Sequence, residues 1–160
     1  VSGRELVETG YFSELDECRA RYGLEPQDIG IELTENILIK AGNEVLEELK
    51  KQREKGVEIS VDDFGVGYSS LSYLKHFPVS HLKIDRTFLK DAPESAYDGA
   101  LMEAIVNVGH KLDLFIVAEG VETAEQSRYC QDLKVEYAQG FLYAKPMPAE
   151  ELETLLTSQD

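Results

Sequence analysis

Along the chain, short runs in which apolar and polar residues alternate give way to longer stretches with apolar residues three or four positions apart. Residues 29–34, 57–62, 81–85, 115–119 and 137–140 read as short strands. The intervening segments read as helices. Residues 44–55 place Val45, Leu46 and Leu49 on one side, and residues 95–112 carry Leu101, Ile105, Val108 and Leu112 at helical spacing. Thr123 with Gln126 forms a capping box that opens a helix running to Leu133. Residues 6–22 and 149–156 supply a first and a last helix. Strands alternating with helices imply parallel strands covered by helices, an α/β fold.

The register of the strands carries more information. Ile59 and Val61 share one face while Ser60 and Asp62 share the other; Ile31 and Leu33 oppose Glu32 and Thr34; Leu82 and Ile84 oppose Lys83 and Asp85. The apolar face suits an outer helix layer, and the polar residues gather towards the C-terminal ends of the strands. Catalytic residues sit at that end in a (β/α) barrel. They sit there in an open doubly wound sheet as well, so register alone does not choose between the two.

Taking one polar group from each strand end gives Glu32, Asp62 with Asp63, Lys83, Glu119 and Gln139. Asp62 and Asp63 cannot both face inward from a regular strand. A strand that ends at Asp62 would let the turn before Phe64-Gly65 swing Asp63 to the same side. Adjacent carboxylates with two further glutamates suit hard cations that take oxygen ligands. Two such ions a few ångströms apart can activate water and stabilise the charge of in-line attack on a phosphodiester. The same carboxylates can instead cap helices or pair with Lys83, and Lys83 can pair with Asp85.

Composition narrows the field. The net charge of −15 argues against a surface that coats duplex nucleic acid, which needs clustered Lys and Arg. It leaves room for a small phosphate ester at a site made locally positive by divalent metals. No apolar run approaches the roughly 20 residues that span a bilayer, and no signal-peptide core is visible at Val1-Ser2-Gly3-Arg4. Cys18 and Cys130 stand far apart and read as reduced, buried thiols. His76, His81 and His110 lack metal-like spacing and read as structural. Gly65-Val66-Gly67 lacks the third glycine of a dinucleotide fingerprint.

Six strings then occur in one order: Glu32-Leu33-Thr34-Glu35; Asp62-Asp63-Phe64-Gly65-Val66-Gly67-Tyr68-Ser69-Ser70-Leu71; Leu82-Lys83-Ile84-Asp85; Ala118-Glu119-Gly120-Val121-Glu122-Thr123; Gln139-Gly140-Phe141; and Lys145-Pro146-Met147-Pro148. This series resembles the EAL family of cyclic-di-GMP phosphodiesterases. The likeness runs from Val1 to about Leu156. It implies a TIM-like (β/α)₈ barrel variant and the opening of the second messenger cyclic di-GMP to linear pGpG with two Mg²⁺ or Mn²⁺ ions. Carried onto this chain, Glu32 resembles a first-metal ligand, Asp62 a ligand shared by both metals, and Asp63 a second-metal ligand. Glu119 resembles a further ligand of the second metal or of its water. Lys83 resembles the lysine that positions or deprotonates the attacking water, which a lowered pKa would permit. Gln139 resembles a water- or substrate-orienting group. Glu35, Asp85 and Glu122 resemble supporting residues, Glu35 being tied to the loop after Asp63.

Two departures stand out. Val66 occupies a position that is usually Thr in the family, in a loop that often makes dimer contacts; a homodimer is therefore one expectation. The Glu-Ala-Leu signature and a metal-binding Asn do not occur, and Val1-Ser2-Gly3-Arg4-Glu5-Leu6 resembles the stretch immediately after that Asn. The expectation is thus one EAL domain over residues 1–160 lacking its first two to three strands. As an isolated piece it would be inactive and unable to close a monomeric barrel. The resemblance further implies a cytoplasmic bacterial setting, with fusion to sensory or diguanylate cyclase modules and no membrane segment in this chain. A degenerate domain that binds cyclic di-GMP or a protein without hydrolysis is the alternative.

Overall fold

A computed structural model describes residue 6 and residues 10–65 and 74–157. The expected strand–helix alternation is present. The elements are α1 (Tyr11–Tyr22), β1 (Gly30–Thr34), α2 (Glu35–Lys40), α3 (Asn43–Lys55), β2 (Glu58–Phe64), β3 (His81–Ile84), α4 (Arg86–Leu89), α5 (Ala96–Lys111), β4 (Phe115–Ala118), α6 (Ala124–Asp132), β5 (Tyr137–Ala138) and α7 (Ala149–Thr157). The five strands are parallel and adjacent in sequence order, β1-β2-β3-β4-β5. Helices return the chain after β1 (α2 and α3), after β3 (α4 and α5) and after β4 (α6), as parallel connections require.

The alternation of the strands decides their faces. Ile31, Leu33, Ile59, Val61, Leu82, Ile84, Ile116 and Ala118 are buried in the main core with Leu49, Met102 and Val106 of the covering helices. Burying that face at about 25 cal/mol per Å² of apolar surface holds the layers together. The opposite face carries Glu32, Ser60, Asp62, Lys83, Val117 and Glu119.

Local signals explain most boundaries. In the capping box of α6, Thr123 Oγ1 accepts from the Gln126 N–H at 3.2 Å and Gln126 Oε1 accepts from the Thr123 N–H at 3.1 Å. Ser95 caps α5 by accepting from the Asp98 N–H. Gly56, at φ 105, ends α3 in the left-handed conformation that side chains resist.

Four expectations need correction. The buried stripe of α5 is Met102, Ile105, Val106 and Gly109, about one residue round from the Leu101 stripe, and Leu101 is 37% exposed. Gly109 decides this, because the helix approaches β4 so closely there that a Cβ would meet Ile116 Cδ1 at 2.3 Å. The first helix is interrupted at Gly10, φ 116, and its residues 7–9 lie outside the described residues. The short helices α2 and α4 follow directly on strands where the sequence shows no periodic run. Cys18 is exposed, and only Cys130 is a buried thiol.

Candidate active site

The site lies at the C-terminal ends of the strands, on the polar face. Lys83, in the middle of β3, is its centre. Its Nζ lies 3.0 Å from Glu32 Oε1 on β1, 3.1 Å from Asp62 Oδ1 on β2 and 2.8 Å from Glu119 Oε1 just after β4. Three carboxylates from three different strands thus meet one ammonium whose side chain is only 8% exposed. Parallel register sets this up: Thr34 pairs with Asp62 and Lys83 with Val117, which brings the strand ends level.

Electrostatics follow from that geometry. Burial alone would lower the Lys83 pKa, but the hydrogen bonds its ammonium donates to Glu119, Glu32 and Asp62 outweigh that and hold it well above its ordinary value. Burial pushes the Glu119 carboxyl up, and its hydrogen bond to Lys83 opposes that rise. In this arrangement of carboxylates the lysine is a charged donor.

Asp63 reaches the site by a route other than the expected one. The strand does not stop at Asp62 but continues to Phe64, and the pairing with β3 slips between Val61 and Phe64. Val61 faces Leu82 and Phe64 faces Ile84, so β2 holds one residue more than its partner over that interval. Asp63 takes up the excess at φ 53, a left-handed conformation uncommon outside glycine. Bulges of this kind re-aim side chains beside functional sites. Here one carboxylate oxygen each from Asp62, Asp63 and Glu119 lies within 4.8 Å of the others.

The supporting residues divide. Gln139 Nε2 donates to Glu119 Oε1 at 2.7 Å, so this amide orients the carboxylate. Glu35 is buried at the start of α2, and its Oε2 accepts from the Gly65 N–H at 3.4 Å, linking it to the turn after Asp63. Asp85 does not pair with Lys83. Its Oδ1 accepts from the Thr87 N–H at 2.9 Å and caps α4. Glu122 is exposed and stands away from the Lys83 cluster, on the lining of a neighbouring cavity. Val66 and the string from Gly67 to Leu71 lie outside the described residues. His81 and His110 are engaged structurally: the His81 ring stacks on Phe115 at 5.3 Å, and His110 Nε2 lies 3.1 Å from Glu136 Oε1. Arg86, which also lines the cavity, is not singled out by the sequence reading; its signal is a cation one residue beyond the Leu82–Asp85 string.

The donor set fits divalent cations. Converging carboxylate oxygens on an otherwise self-repelling cluster are what hard ions of the Mg²⁺, Mn²⁺ and Ca²⁺ type require.

Comparison with known proteins places this geometry. The family model of the EAL domain matches residues 1–146. The chain belongs to the EAL domain family. The EAL chain is 41% identical over 152 residues to the bifunctional diguanylate cyclase/cyclic di-GMP phosphodiesterase MucR of Pseudomonas aeruginosa, covering 95% of this chain and 22% of that protein. It therefore spans about a fifth of the length of such curated relatives. The solved phosphodiesterase of MucR in complex with c-di-GMP superposes with a TM-score of 0.88 at 41% identity, over 95% of this chain and 62% of that one. The manganese/cy-diGMP complex of Klebsiella pneumoniae BlrP1 superposes with a TM-score of 0.81 at 32% identity, over 89% and 36% of the two chains. The five-stranded parallel sheet is thus part of the TIM-like EAL fold. Among the described residues, no helix is long and apolar enough to cross a membrane.

Proposed function

We propose that this EAL domain hydrolyses cyclic di-GMP to linear pGpG, working with two Mg²⁺ or Mn²⁺ ions on the cytoplasmic side of a bacterial cell. The observation that carries the reading is the convergence of Glu32, Asp62 and Glu119 on Lys83, with Asp63 turned to the same place by the β2 bulge. Glu32, Asp62, Asp63 and Glu119 are the residues that would hold the ions. Bound there, such ions supply Lewis-acid stabilisation of a phosphodiester and a nucleophilic water at neutral pH.

The remaining groups have roles that follow from their contacts. Lys83 offers a charged N–H donor at the centre of the site and holds the attacking water or a phosphoryl oxygen in line. Gln139 fixes Glu119 through its amide, so that carboxylate does not swing away when charge develops beside it. Glu35 anchors the backbone that follows Asp63, and Asp85 secures the turn after β3. This domain works within a longer polypeptide, with sensory or diguanylate cyclase modules and a homodimer as its expected setting.

The test is hydrolysis of cyclic di-GMP by the intact protein in Mn²⁺, Mg²⁺, Ca²⁺ or EDTA, with products resolved by chromatography. Formation of pGpG in Mn²⁺ or Mg²⁺, with loss of turnover in Ca²⁺ or EDTA, is expected. Equal turnover in EDTA would overturn the metal assignment. Tight binding without turnover in any metal would establish the receptor reading instead.

A further inference from the structure

In the sheet β3 lies between β2 and β4, so the short helix that follows it, α4, stands between the turns that carry Asp63 and Glu119. That helix is held firmly. Leu89 is buried in the main core, Asp85 Oδ1 accepts from the Thr87 N–H at 2.9 Å, and the Phe88 N–H donates to Asp85 O at 3.1 Å. Each flanking turn meets α4 through a glycine. A Cβ on Gly65, two residues after Asp63, would come within 2.6 Å of Phe88 Cζ. A Cβ on Gly120, the residue after Glu119, would come within 2.5 Å of Arg86 Cβ. Both glycines have positive φ, 93 and 68, so neither the space nor the backbone favours a side chain.

Asp63 depends on this bracing more than the other carboxylates do. Glu32 and Asp62 belong to paired strand residues, and the Glu119 N–H donates to Ile84 O at 3.1 Å. Asp63 sits instead in the slip between Val61 and Phe64. The turn after it is fixed from three sides. The Phe64 side chain is buried in the core, Glu35 Oε2 accepts from the Gly65 N–H at 3.4 Å, and the Phe88 ring lies against Gly65. The ring is the contact that ties this turn to α4, whose other side meets the turn of Glu119. Phe88 is only partly buried, so its ring braces the turn at the margin of the core.

Ion size makes that placement matter. Mg²⁺ demands a near-ideal octahedron with oxygens at about 2.0–2.1 Å, whereas Ca²⁺ takes about six to eight oxygens at about 2.3–2.6 Å in a flexible arrangement. Oxygens of Asp62, Asp63 and Glu119 lie within 4.8 Å of one another. Close-packed groups transmit a displacement instead of absorbing it. A shift of Asp63 away from Glu119 therefore penalises the smaller ion first.

We propose that Phe88 is a positioning residue: braced by α4, its ring sets how far the Asp63 carboxylate stands from Glu119 and so favours the smaller divalent ion. This role rests on the metal-dependent phosphodiesterase reading of the cluster.

Metal binding tests it without turnover. The intact protein is titrated calorimetrically with Mg²⁺ and, separately, with Ca²⁺. Phe88→Leu keeps an apolar side chain but withdraws the ring from Gly65. Its Mg²⁺ affinity should fall about 10–100-fold, the usual effect of removing a group that orients a metal ligand. Ca²⁺ affinity, with its flexible coordination, should change by less than about threefold. Gly65→Ala should weaken Mg²⁺ as well, and more so in the wild type than beside Phe88→Leu. The strain of a side chain at φ 93 is present in both backgrounds and cancels, leaving the clash with the ring as the coupling. Circular dichroism checks the fold of each variant, and Gly65→Ala alone carries the Mg²⁺-against-Ca²⁺ comparison if Phe88→Leu does not fold. Equal weakening of both ions, unchanged Mg²⁺ affinity, or strictly additive effects in the double variant would overturn the role of Phe88. Failure of the phosphodiesterase reading shows itself separately, as absence of cyclic di-GMP hydrolysis in the wild type.

Discussion

Lys83 holds one positive charge against carboxylates from three strands, and that imbalance explains why the residue matters. Replacing it by Ala removes that donor while leaving in place every carboxylate proposed to hold a metal ion. Turnover should fall by about 10²–10⁴-fold, the range for a group that positions or moves a proton. Cyclic di-GMP binding should stay within a few-fold. Single-turnover rates and equilibrium binding of Lys83→Ala would check this, and a near-normal rate would remove Lys83 from the chemistry. A second residue gives a pH signature away from the site. Burial pushes the Cys130 thiol up from 9.0 to about 11, because its thiolate is poorly solvated among core side chains. A raised folded-state pKa means a stability contribution present below pH 9 and lost as pH rises towards about 11. Denaturant midpoints measured at pH 8 and pH 11 should differ more for the wild type than for Cys130→Ala. An identical pH dependence in the two proteins would contradict the burial argument.

At the scale of the element, the ends of the strands do the positioning. The bulge in β2 turns an adjacent pair of aspartates into two groups serving one site, which a straight strand cannot do. The contact between the loops after β4 and β5 does the same for Gln139. Gly140 permits it, since its Cβ position falls 2.2–2.3 Å from the O and N of Val121, backbone atoms that cannot rotate aside. Gly140→Ala should force the two loops apart, lowering stability by about 1–3 kcal/mol as overpacking does. It should also reduce turnover, because Gln139 would no longer hold Glu119 at hydrogen-bond distance. Urea unfolding and steady-state kinetics on this variant would show both effects. Unchanged unfolding would mean the loops have room the structure does not show.

At the scale of the molecule, the sheet has two ends. β1 and β5 each pair on one side only among the described strands. The polar face also carries Phe115 and Tyr137, 48% and 53% exposed, with ring centroids 6.2 Å apart. Open edges and exposed aromatics promote association unless something covers them. The polypeptide 1–160 in isolation should therefore self-associate, and light scattering after purification would show particles larger than a monomer. A monodisperse monomer that turns over cyclic di-GMP would contradict this and show that the five-stranded arc suffices for activity.

The places of the strands along the chain, the faces that β1, β2 and β3 bury and the identity of Glu32, Asp62, Lys83 and Glu119 as strand-end groups were all legible in the sequence. They depend on local alternation and on short strings, and both are written in consecutive residues. Three things were not. The bulge that brings in Asp63 arises from pairing with β3, where one strand must absorb an extra residue against its neighbour. The rotation of the buried stripe on α5 arises from the contact of Gly109 with Ile116, which joins a helix to a strand. The charged state of Lys83 arises from three carboxylates 51, 21 and 36 positions away along the chain, whose fields sum only once the strands lie side by side. Periodicity reads neighbours in sequence; pairing register, close approach and electrostatic field belong to neighbours in space.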